Sequence, residues 1–191
     1  MTTYEIRPLN SDDFQDIMRL EEEIFGNDGE PLLGPYYVRL CCDFMQHTCF
    51  IARIDGRAAG YLLSFVRDRE AYCTTLAVVK EFQGTRVVHK LVQAFMRAIV
   101  DEVDACWFTV KEDNLPARAI HAWLGAENVD RRHDFYGPGD ERIVSRIDRD
   151  VLARFKQRYQ RMGLLGDADK RALPPAPSAF GRRVQNSGAS A

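Results

Sequence analysis

Residues 76–92 read Leu76-Ala-Val78-Val-Lys-Glu-Phe-Gln83-Gly84-Thr-Arg86-Val-Val88-His-Lys-Leu-Val92. The apolar start is typical of a buried strand, the middle is a polar loop, and apolar residues then recur at helical intervals. A strand that passes through a short loop into a helix brings together several backbone N–H groups and the positive end of the helix dipole. The stretch therefore predicts an α/β fold with an anion-binding loop between a strand and the following helix.

Further strands and helices are expected on both sides of this segment. Asp55-Gly56 separates two apolar, β-rich runs and is the strongest short hairpin signal that a sequence offers. The expected order is β-α-α-β-β-β-α-β-α-β-β. In chain order, the predicted elements are a strand at 3–8, helices from Phe14 and from Pro35 to about Gln46, strands at 49–54, 58–66 and 71–79, a helix from Val87, a strand at 106–110, a helix at 114–124, and a hairpin of 129–136 with 143–147.

The chain has 191 residues, which is enough for one domain with a sizeable core. We expect that domain at residues 3–149, followed by an amphipathic helix at residues 150–163. Beyond this helix the composition turns to Pro, Ala, Ser and Gly, which cannot bury enough apolar area to offset chain entropy. Residues 164–191 are therefore predicted to be a disordered basic tail.

The net charge of −2 hides an asymmetry along the chain. Residues 1–141 carry 15 basic and 24 acidic groups, whereas residues 142–191 carry 11 basic and 4 acidic groups. An acidic body attracts cationic small molecules and repels nucleic acid, so no nucleic-acid partner is expected. Three interpretations of the basic residues 142–191 stay open. They form a solvated segment, bind an anionic partner, or contact the acidic body itself.

Compartment and metal content are predicted from what the sequence lacks. It contains no apolar run of about eighteen residues and no signal-peptide pattern at its start, so no membrane association is expected. The five cysteines and four histidines show no metal-ligand spacing, so no metal is expected. Cysteines in apolar segments suit a reducing compartment, which predicts a cytoplasmic protein. The protein is expected to be a monomer or a homodimer.

Three motifs occur in order along residues 4–148. They are the hairpin segment 50–61, the stretch 76–92 quoted above, and a segment in which Asn114-x-x-Ala117 is followed by Ile120-His121 and then Leu124-Gly125. Together they resemble the GNAT acetyltransferase superfamily. The resemblance implies an α/β fold with a central, mostly antiparallel mixed sheet that is splayed between strands 4 and 5 and flanked by helices.

The resemblance implies acetyl-CoA as the cofactor, with its pyrophosphate held by the loop after strand 4. The family has small residues where Arg86 and Val88 stand here, and glycine permits the closest approach of backbone to phosphate. Either the Arg86 guanidinium contacts the phosphates instead, or the cofactor site has lapsed on a domain now used for binding. The residues that the resemblance assigns to the cofactor are Leu76, Ala77, Val78, Gln83, Gly84, Thr85, Arg86, Val87, Val88, Asn114 and Ala117.

Catalytic roles are also implied by the resemblance. A backbone N–H near Val78 is expected to stabilise the thioester oxygen as charge develops on it. Many members carry a glutamate base on strand 4 at the position of Tyr72, so Tyr72 is assigned to substrate binding, and a water chain or another carboxylate must act as base. His121 aligns with the family's tyrosine acid, and a histidine with a pKa of about 6.5 can donate a proton near neutral pH. Tyr136 is the second candidate for that acid.

Glu21 falls within the apolar stripe of the first predicted helix, beside Ile17, Met18 and Ile24. An unpaired carboxylate buried there would cost several kcal/mol, so a partner is required. The loop after this helix lines the acceptor pocket in the family, so Glu21 is predicted to bind a cationic amine. The alternative is that Glu21 pairs with an arginine on a neighbouring element.

These observations predict an N-acetyltransferase that moves an acetyl group from acetyl-CoA to the primary amine of a small, cationic acceptor. Two alternatives stay open at this point. One is a GNAT-shaped binding module that has lost efficient use of acetyl-CoA, and the other is an enzyme that uses a longer acyl donor.

Overall fold

The computed structural model describes residues 2–27 and 31–161. Seven strands are present in this part of the chain: β1 (Tyr4–Pro8), β2 (Phe50–Ile54), β3 (Arg57–Arg67), β4 (Glu70–Val78), β5 (Ala105–Val110), β6 (Glu127–Arg132) and β7 (Arg142–Asp148). The helices are α1 (Phe14–Phe25), α2 (Pro35–Asp43), α3 (Val87–Ile99), α4 (Leu115–Trp123) and α5 (Arg149–Arg161), with short 3-10 turns at Ser11–Asp13, Gln46–Thr48 and Lys80–Phe82. The predicted tail at 164–191 lies outside the described residues.

All seven strands form one mixed sheet in the order β1-β2-β3-β4-β5-β7-β6. Every neighbouring pair is antiparallel except β4 and β5, which run parallel. The predicted mixed α/β fold is therefore confirmed. Among the described residues no helix is both long and apolar enough to span a bilayer.

Two apolar clusters cover the two faces of the sheet. The α3 helix packs one stripe against the first face, which also carries residues of α4 and α5. Its buried residues are Val87, Leu91, Val92, Phe95, Met96 and Ile99. On the second face, α1 and α2 pack against β2, β3 and the end of β4. The helical spacing of apolar residues in the sequence thus determines which face each helix buries.

The two parallel strands separate partway along their length. Paired residues run from Glu70 opposite Ala105 to Cys73 opposite Phe108, although β4 continues to Val78 and β5 to Val110. The separation coincides with a β-bulge, because the β3–β4 register shifts so that Thr74 is an extra residue in β4. A bulge bends its strand and increases its twist, so β4 turns away from β5. We call the resulting opening the fork, and the Cys73–Phe108 pair is its vertex.

Most boundaries lie within two residues of the prediction, and two differ by more. The α2 helix ends at Asp43 and not at Gln46, because Gln46–Thr48 form a separate 3-10 turn. Strand β6 ends at Arg132 and not at residue 136, because the loop that follows is held in a turn. In this loop Asp134 has a positive φ of 52°, and its carboxylate accepts a hydrogen bond from the Gly139 N–H at 2.6 Å.

A buried carboxylate fastens the start of α1 to the sheet. Asp13 is only 1% exposed and accepts hydrogen bonds from both terminal nitrogens of Arg7, at 2.6 and 2.7 Å. Arg53 of β2 and the Asn10 N–H also donate to it, at 3.3 and 2.9 Å. Burial alone would raise the pKa of Asp13, but the donors from Arg7 and Asn10 hold it below its ordinary value. The group is therefore ionised in the folded protein at neutral pH.

We expect Asp13→Asn to lower the free energy of unfolding by about 3 kcal/mol, because it removes the buried charge that binds the partly buried guanidinium groups of Arg7 and Arg53. Urea denaturation measures this change directly. The matched control is Arg19→Ala, which removes the exposed ion pair with Asp16 and should cost less than about 1 kcal/mol. Equal losses in the two variants would contradict the structural role given to Asp13.

Candidate active site at the fork

The fork exposes a backbone N–H group that belongs to no strand ladder. The Val79 N–H bonds to the Ala59 carbonyl at 3.0 Å and so points toward β3. Successive amides along a strand point to opposite edges, so the Val78 N–H points away from β3 and toward the fork. On the same edge, the Gln83 side-chain amide donates to the Val78 carbonyl at 3.1 Å. One backbone donor therefore faces the opening while its neighbouring carbonyl is satisfied.

Gly60 allows β3 to lie close behind this donor. It is paired with Val78, and a Cβ atom built on Gly60 would lie 2.6 Å from the Ala77 carbonyl oxygen and 3.1 Å from the Val78 Cα. Any side chain here would push β4 out of position. Sequence reasoning missed this residue, although an isolated glycine inside a strand is a known signal of close backbone approach.

The loop between β4 and α3 has the predicted strand–turn–helix form. Lys80–Phe82 make one 3-10 turn, and Gly84 has a φ of +76° with open space where a Cβ would lie. The Thr85 hydroxyl donates to the Phe82 carbonyl at 2.6 Å and accepts from the Val87 N–H at 3.4 Å. These bonds fix the chain where α3 begins.

The N-terminus of α3 carries positive potential. Its first turn has no acidic residue, and its first backbone bond runs from the Lys90 N–H to the Arg86 carbonyl at 3.0 Å. The earlier amides of the helix therefore lack intrahelical acceptors, as at every helix start. Arg86 is exposed and pairs with no acidic group in the described part of the chain, whereas Glu81 is paired with Arg57 at 2.5 Å. This arrangement fits an anion such as a phosphate.

The Asn114 and Ala117 motif has a local structural explanation. The Asn114 side-chain oxygen accepts a hydrogen bond from the Ala117 N–H at 3.1 Å and so caps α4. The motif thereby fixes where α4 starts, immediately after β5. A contact of either residue with a cofactor stays a prediction.

His121 lies over the vertex of the fork on the face that α3 and α4 cover. Its ring packs against Phe108 with 4.7 Å between ring centroids, and its Nδ1 is buried without a hydrogen-bond partner among the described residues. Burial lowers the pKa of His121 from 6.5 to about 4. The imidazole is therefore neutral at pH 7, and it is not the imidazolium that the sequence-based prediction invoked. The ring also borders a cavity of about 340 Å³ between α4 and strands β6 and β7.

Hydroxyl groups occupy the opposite face of the fork. The hydroxyls of Tyr72 and Thr109 lie 2.7 Å apart and bridge β4 and β5 at the vertex, where Tyr72 precedes Cys73 and Thr109 follows Phe108. Burial and a contact with Tyr136 raise the pKa of Tyr72, so its phenol stays protonated at neutral pH. The structure thus brings together Tyr72 and Tyr136, two residues singled out in the sequence. Tyr136 is held in turn by Arg142, whose guanidinium lies 5.0 Å from its ring centre.

A third tyrosine, which the sequence did not reveal, reaches the fork from α2. The hydroxyls of Tyr37 and Thr74 lie 2.7 Å apart, and Thr74 also donates to the Leu63 carbonyl at 3.1 Å. Thr74 is the bulge residue, so α2 is tied to the point where β4 bends. A bulge leaves no clear mark in a single sequence, which is why this contact was not foreseen.

Glu21 is buried, as its place in the apolar stripe predicted, with an exposed fraction of 1%. The Tyr61 hydroxyl donates to one carboxylate oxygen, and the Leu33 N–H donates to the other at 2.8 Å. No arginine or lysine of the described residues pairs with it. Burial raises the pKa of Glu21, and the Leu33 N–H opposes that shift. A direct contact between Glu21 and an acceptor stays a prediction.

Comparison with known proteins agrees with this geometry. Residues 14–126 match the model of the acetyltransferase (GNAT) family. An uncharacterized N-acetyltransferase of Methanocaldococcus jannaschii is 26% identical over 144 residues, which cover 73% of this chain and 88% of that protein.

Two solved structures share the fold. Ard1 from Thermoplasma volcanium has a TM-score of 0.66 at 16% identity, with 76% of this chain and 97% of that chain covered. Diaminobutyrate acetyltransferase EctA from Paenibacillus lautus, solved with L-2,4-diaminobutyric acid and coenzyme A, has a TM-score of 0.64 at 17% identity, with 76% and 95% covered. At these identities the likeness concerns the fold, while the match over residues 14–126 covers more than half of the sequence. The chain belongs to the GNAT family of acetyltransferases.

Proposed function

We propose that this protein transfers an acetyl group from acetyl-CoA to the primary amine of a small, cationic acceptor. The observation that carries the proposal is the fork. It joins an anion-binding helix start on one face to a cluster of tyrosine hydroxyls on the other, with a free backbone N–H between them.

The residues on the donor face fit acetyl-CoA. A pyrophosphate fits the start of α3, where the N-cap residue makes no side-chain bond, and the open space at Gly84. It also fits Arg86, which pairs with no acidic group among the described residues. The buried Nδ1 of His121 has no hydrogen-bond partner within residues 2–27 and 31–161, which suits a ligand atom beside it. When bound, acetyl-CoA supplies the acetyl group as a reactive thioester. Leu76, Ala77 and Val78 at the end of β4 then form the wall beside it.

Two groups on this chain act on charge that develops during transfer. The Val78 N–H donates to the thioester oxygen as it becomes negative, and it is already oriented by the pairing of β4 with β3. His121 is neutral, so it acts as an N–H hydrogen-bond donor to the departing sulfur and does not deliver a full proton from an imidazolium.

The acceptor enters from the face that carries Tyr37, Tyr72 and Tyr136. The phenol of Tyr72 stays protonated and donates a hydrogen bond, so it orients the amine and does not deprotonate it. Proton loss from the amine therefore passes through water. A cationic acceptor is supported by the acidic charge of residues 1–141, and by the fold likeness to an acetyltransferase named for diaminobutyrate.

One observation favours the alternative of a binding module. Arg86 and Val88 occupy positions where the family has small residues, and their side chains restrict how closely a phosphate can approach the backbone. A module of this kind would bind coenzyme A weakly and would turn over no amine.

We expect steady release of coenzyme A thiol when the protein is mixed with acetyl-CoA and a panel of cationic amines, with the acetylated amine detected by mass spectrometry. Arg86→Glu should raise the KM for acetyl-CoA by about 10- to 100-fold, because it replaces a cation beside the phosphates with an anion.

The matched control for that variant is Arg67→Glu. Arg67 is 84% exposed and pairs with the equally exposed Asp68, so the reversal should change the KM by less than about twofold. If no amine in the panel produced thiol release, the result would contradict the proposed acetyltransferase activity and favour the binding module. Turnover only with longer acyl-CoA donors would contradict the proposal that the transferred group is acetyl.

The neutral state of His121 has its own consequence for pH dependence. Because burial lowers the pKa of His121 to about 4, the kcat of the wild-type protein should show no inflection near pH 6.5. His121→Phe should lower kcat by about 100-fold, the loss expected when one hydrogen-bond donor to a developing negative charge is removed, while the Kd of coenzyme A stays unchanged. An inflection near pH 6.5 that disappears in His121→Phe would show that the imidazole titrates. An unchanged kcat in His121→Phe would mean that Tyr136, and not His121, donates the hydrogen bond to the departing sulfur.

A further inference from the structure

Glu21 connects three parts of the chain from a buried position. It lies on α1, and its two carboxylate oxygens accept hydrogen bonds from Tyr61 of β3 and from the Leu33 N–H just before α2. Tyr61 is fully buried, so its bond to Glu21 is shielded from water, and the bond from the Leu33 N–H is partly shielded. In such surroundings a hydrogen bond to a charged group is strong, and a broken one leaves a costly unpaired group.

The bond from the Leu33 N–H ties Glu21 to a segment that reaches the fork a few residues later. Leu33 is followed by Gly34, whose carbonyl accepts the first backbone bond of α2 from the Val38 N–H at 3.2 Å. In the same first turn Tyr37 places its hydroxyl 2.7 Å from that of Thr74, the bulge residue. Fixing the Leu33 amide therefore fixes the start of α2 and the tyrosine that it presents.

The bond to Tyr61 reaches the back of the same site. Tyr61 is paired with Ala77, and its neighbour Gly60 is paired with Val78, whose N–H faces the fork. The carboxylate thus holds the segment before α2 at a set distance from the strand that carries the proposed oxyanion donor.

We propose that Glu21 is a positioning residue for the acceptor: it sets the acceptor wall at Tyr37 against β4 without touching the amine. This inference rests on the proposed function, since it assumes that the acceptor enters on the Tyr37 face. A wall displaced by a fraction of a bond length misaligns the amine, and such misplacement costs rate even when the chemistry lies elsewhere.

The test compares Glu21→Gln with two controls. Glutamine keeps the volume, but its single carbonyl oxygen can accept from only one of the two donors, so the other bond is lost or must reverse its direction. We expect kcat/KM for the amine to fall by about 10- to 100-fold, while the KM for acetyl-CoA changes by less than about twofold. Tyr61→Phe keeps the bond from the Leu33 N–H, which holds the start of α2, and should therefore cause a smaller loss. Asp13→Asn removes an equally buried carboxylate whose hydrogen bonds come from Arg7, Arg53 and Asn10 and not from Leu33 or Tyr61, so it should leave the KM for the amine unchanged.

Two acceptors of the same size, one with a second positive charge and one neutral apart from the reacting amine, separate positioning from direct contact. Positioning predicts that Glu21→Gln loses rate with both acceptors to the same extent. A loss confined to the cationic acceptor would show that the carboxylate binds that charge directly and would overturn the proposal. Equal losses in Glu21→Gln and Asp13→Asn would overturn it as well, because they would reflect stability alone.

A second measurement does not depend on turnover. Glu21→Gln should speed hydrogen exchange at the Leu33 amide and in the first turn of α2 by about tenfold or more, and should leave β5 and β7 unchanged. Unchanged exchange at Leu33 would overturn the positioning role. If the wild-type protein turned over no amine, the proposed function would fail, and this exchange result would still decide whether Glu21 holds the start of α2.

Discussion

The site depends on the loss of pairing between two parallel strands. After Cys73 and Phe108, β4 and β5 part, and the bulge at Thr74 turns β4 away. Backbone groups that would otherwise complete the β4–β5 ladder then have no strand partner. Because a buried N–H without a partner is costly, such a group favours a ligand that accepts its hydrogen bond. The Val78 N–H is the group that this geometry frees. The arrangement of α3 and α4 on one face and of the tyrosines on the other follows from where the strands part.

Two titratable side chains at the fork, His121 and Tyr72, are uncharged at neutral pH. Burial lowers the pKa of His121 and raises the pKa of Tyr72, so at neutral pH both side chains act as neutral hydrogen-bonding groups. Positive charge is left to the start of α3 and to Arg86, where phosphates are expected. In such a site hydrogen-bond donors aimed at a developing negative charge are worth more than in water. A protonated amine is correspondingly disfavoured there, which suits an acceptor that must lose its proton before attack.

Local patterns in the sequence predicted the fold and part of the site. The strand–loop–helix at residues 76–92, the Asp55-Gly56 hairpin and the buried place of Glu21 depend on neighbouring residues and periodicity, and the structure has all three. The bulge at Thr74 and the partners of Glu21 depend on residues distant in sequence, so periodicity does not reveal them. The pKa of His121 follows from how deeply its ring is buried against Phe108, which a helical pattern alone does not specify.

The most direct test of the fork as the donor site is a titration of the ¹⁵N-labelled protein with coenzyme A, followed by amide chemical shifts. The Val78 N–H faces the opening, and the first N–H groups of α3 have no intrahelical acceptor. The largest shifts should therefore fall on Val78 and on residues 84–89. The amides of β1, which lies at the far edge of the sheet, should stay in place. Shifts that avoid Val78 and the start of α3, or no shifts at millimolar coenzyme A, would contradict the account.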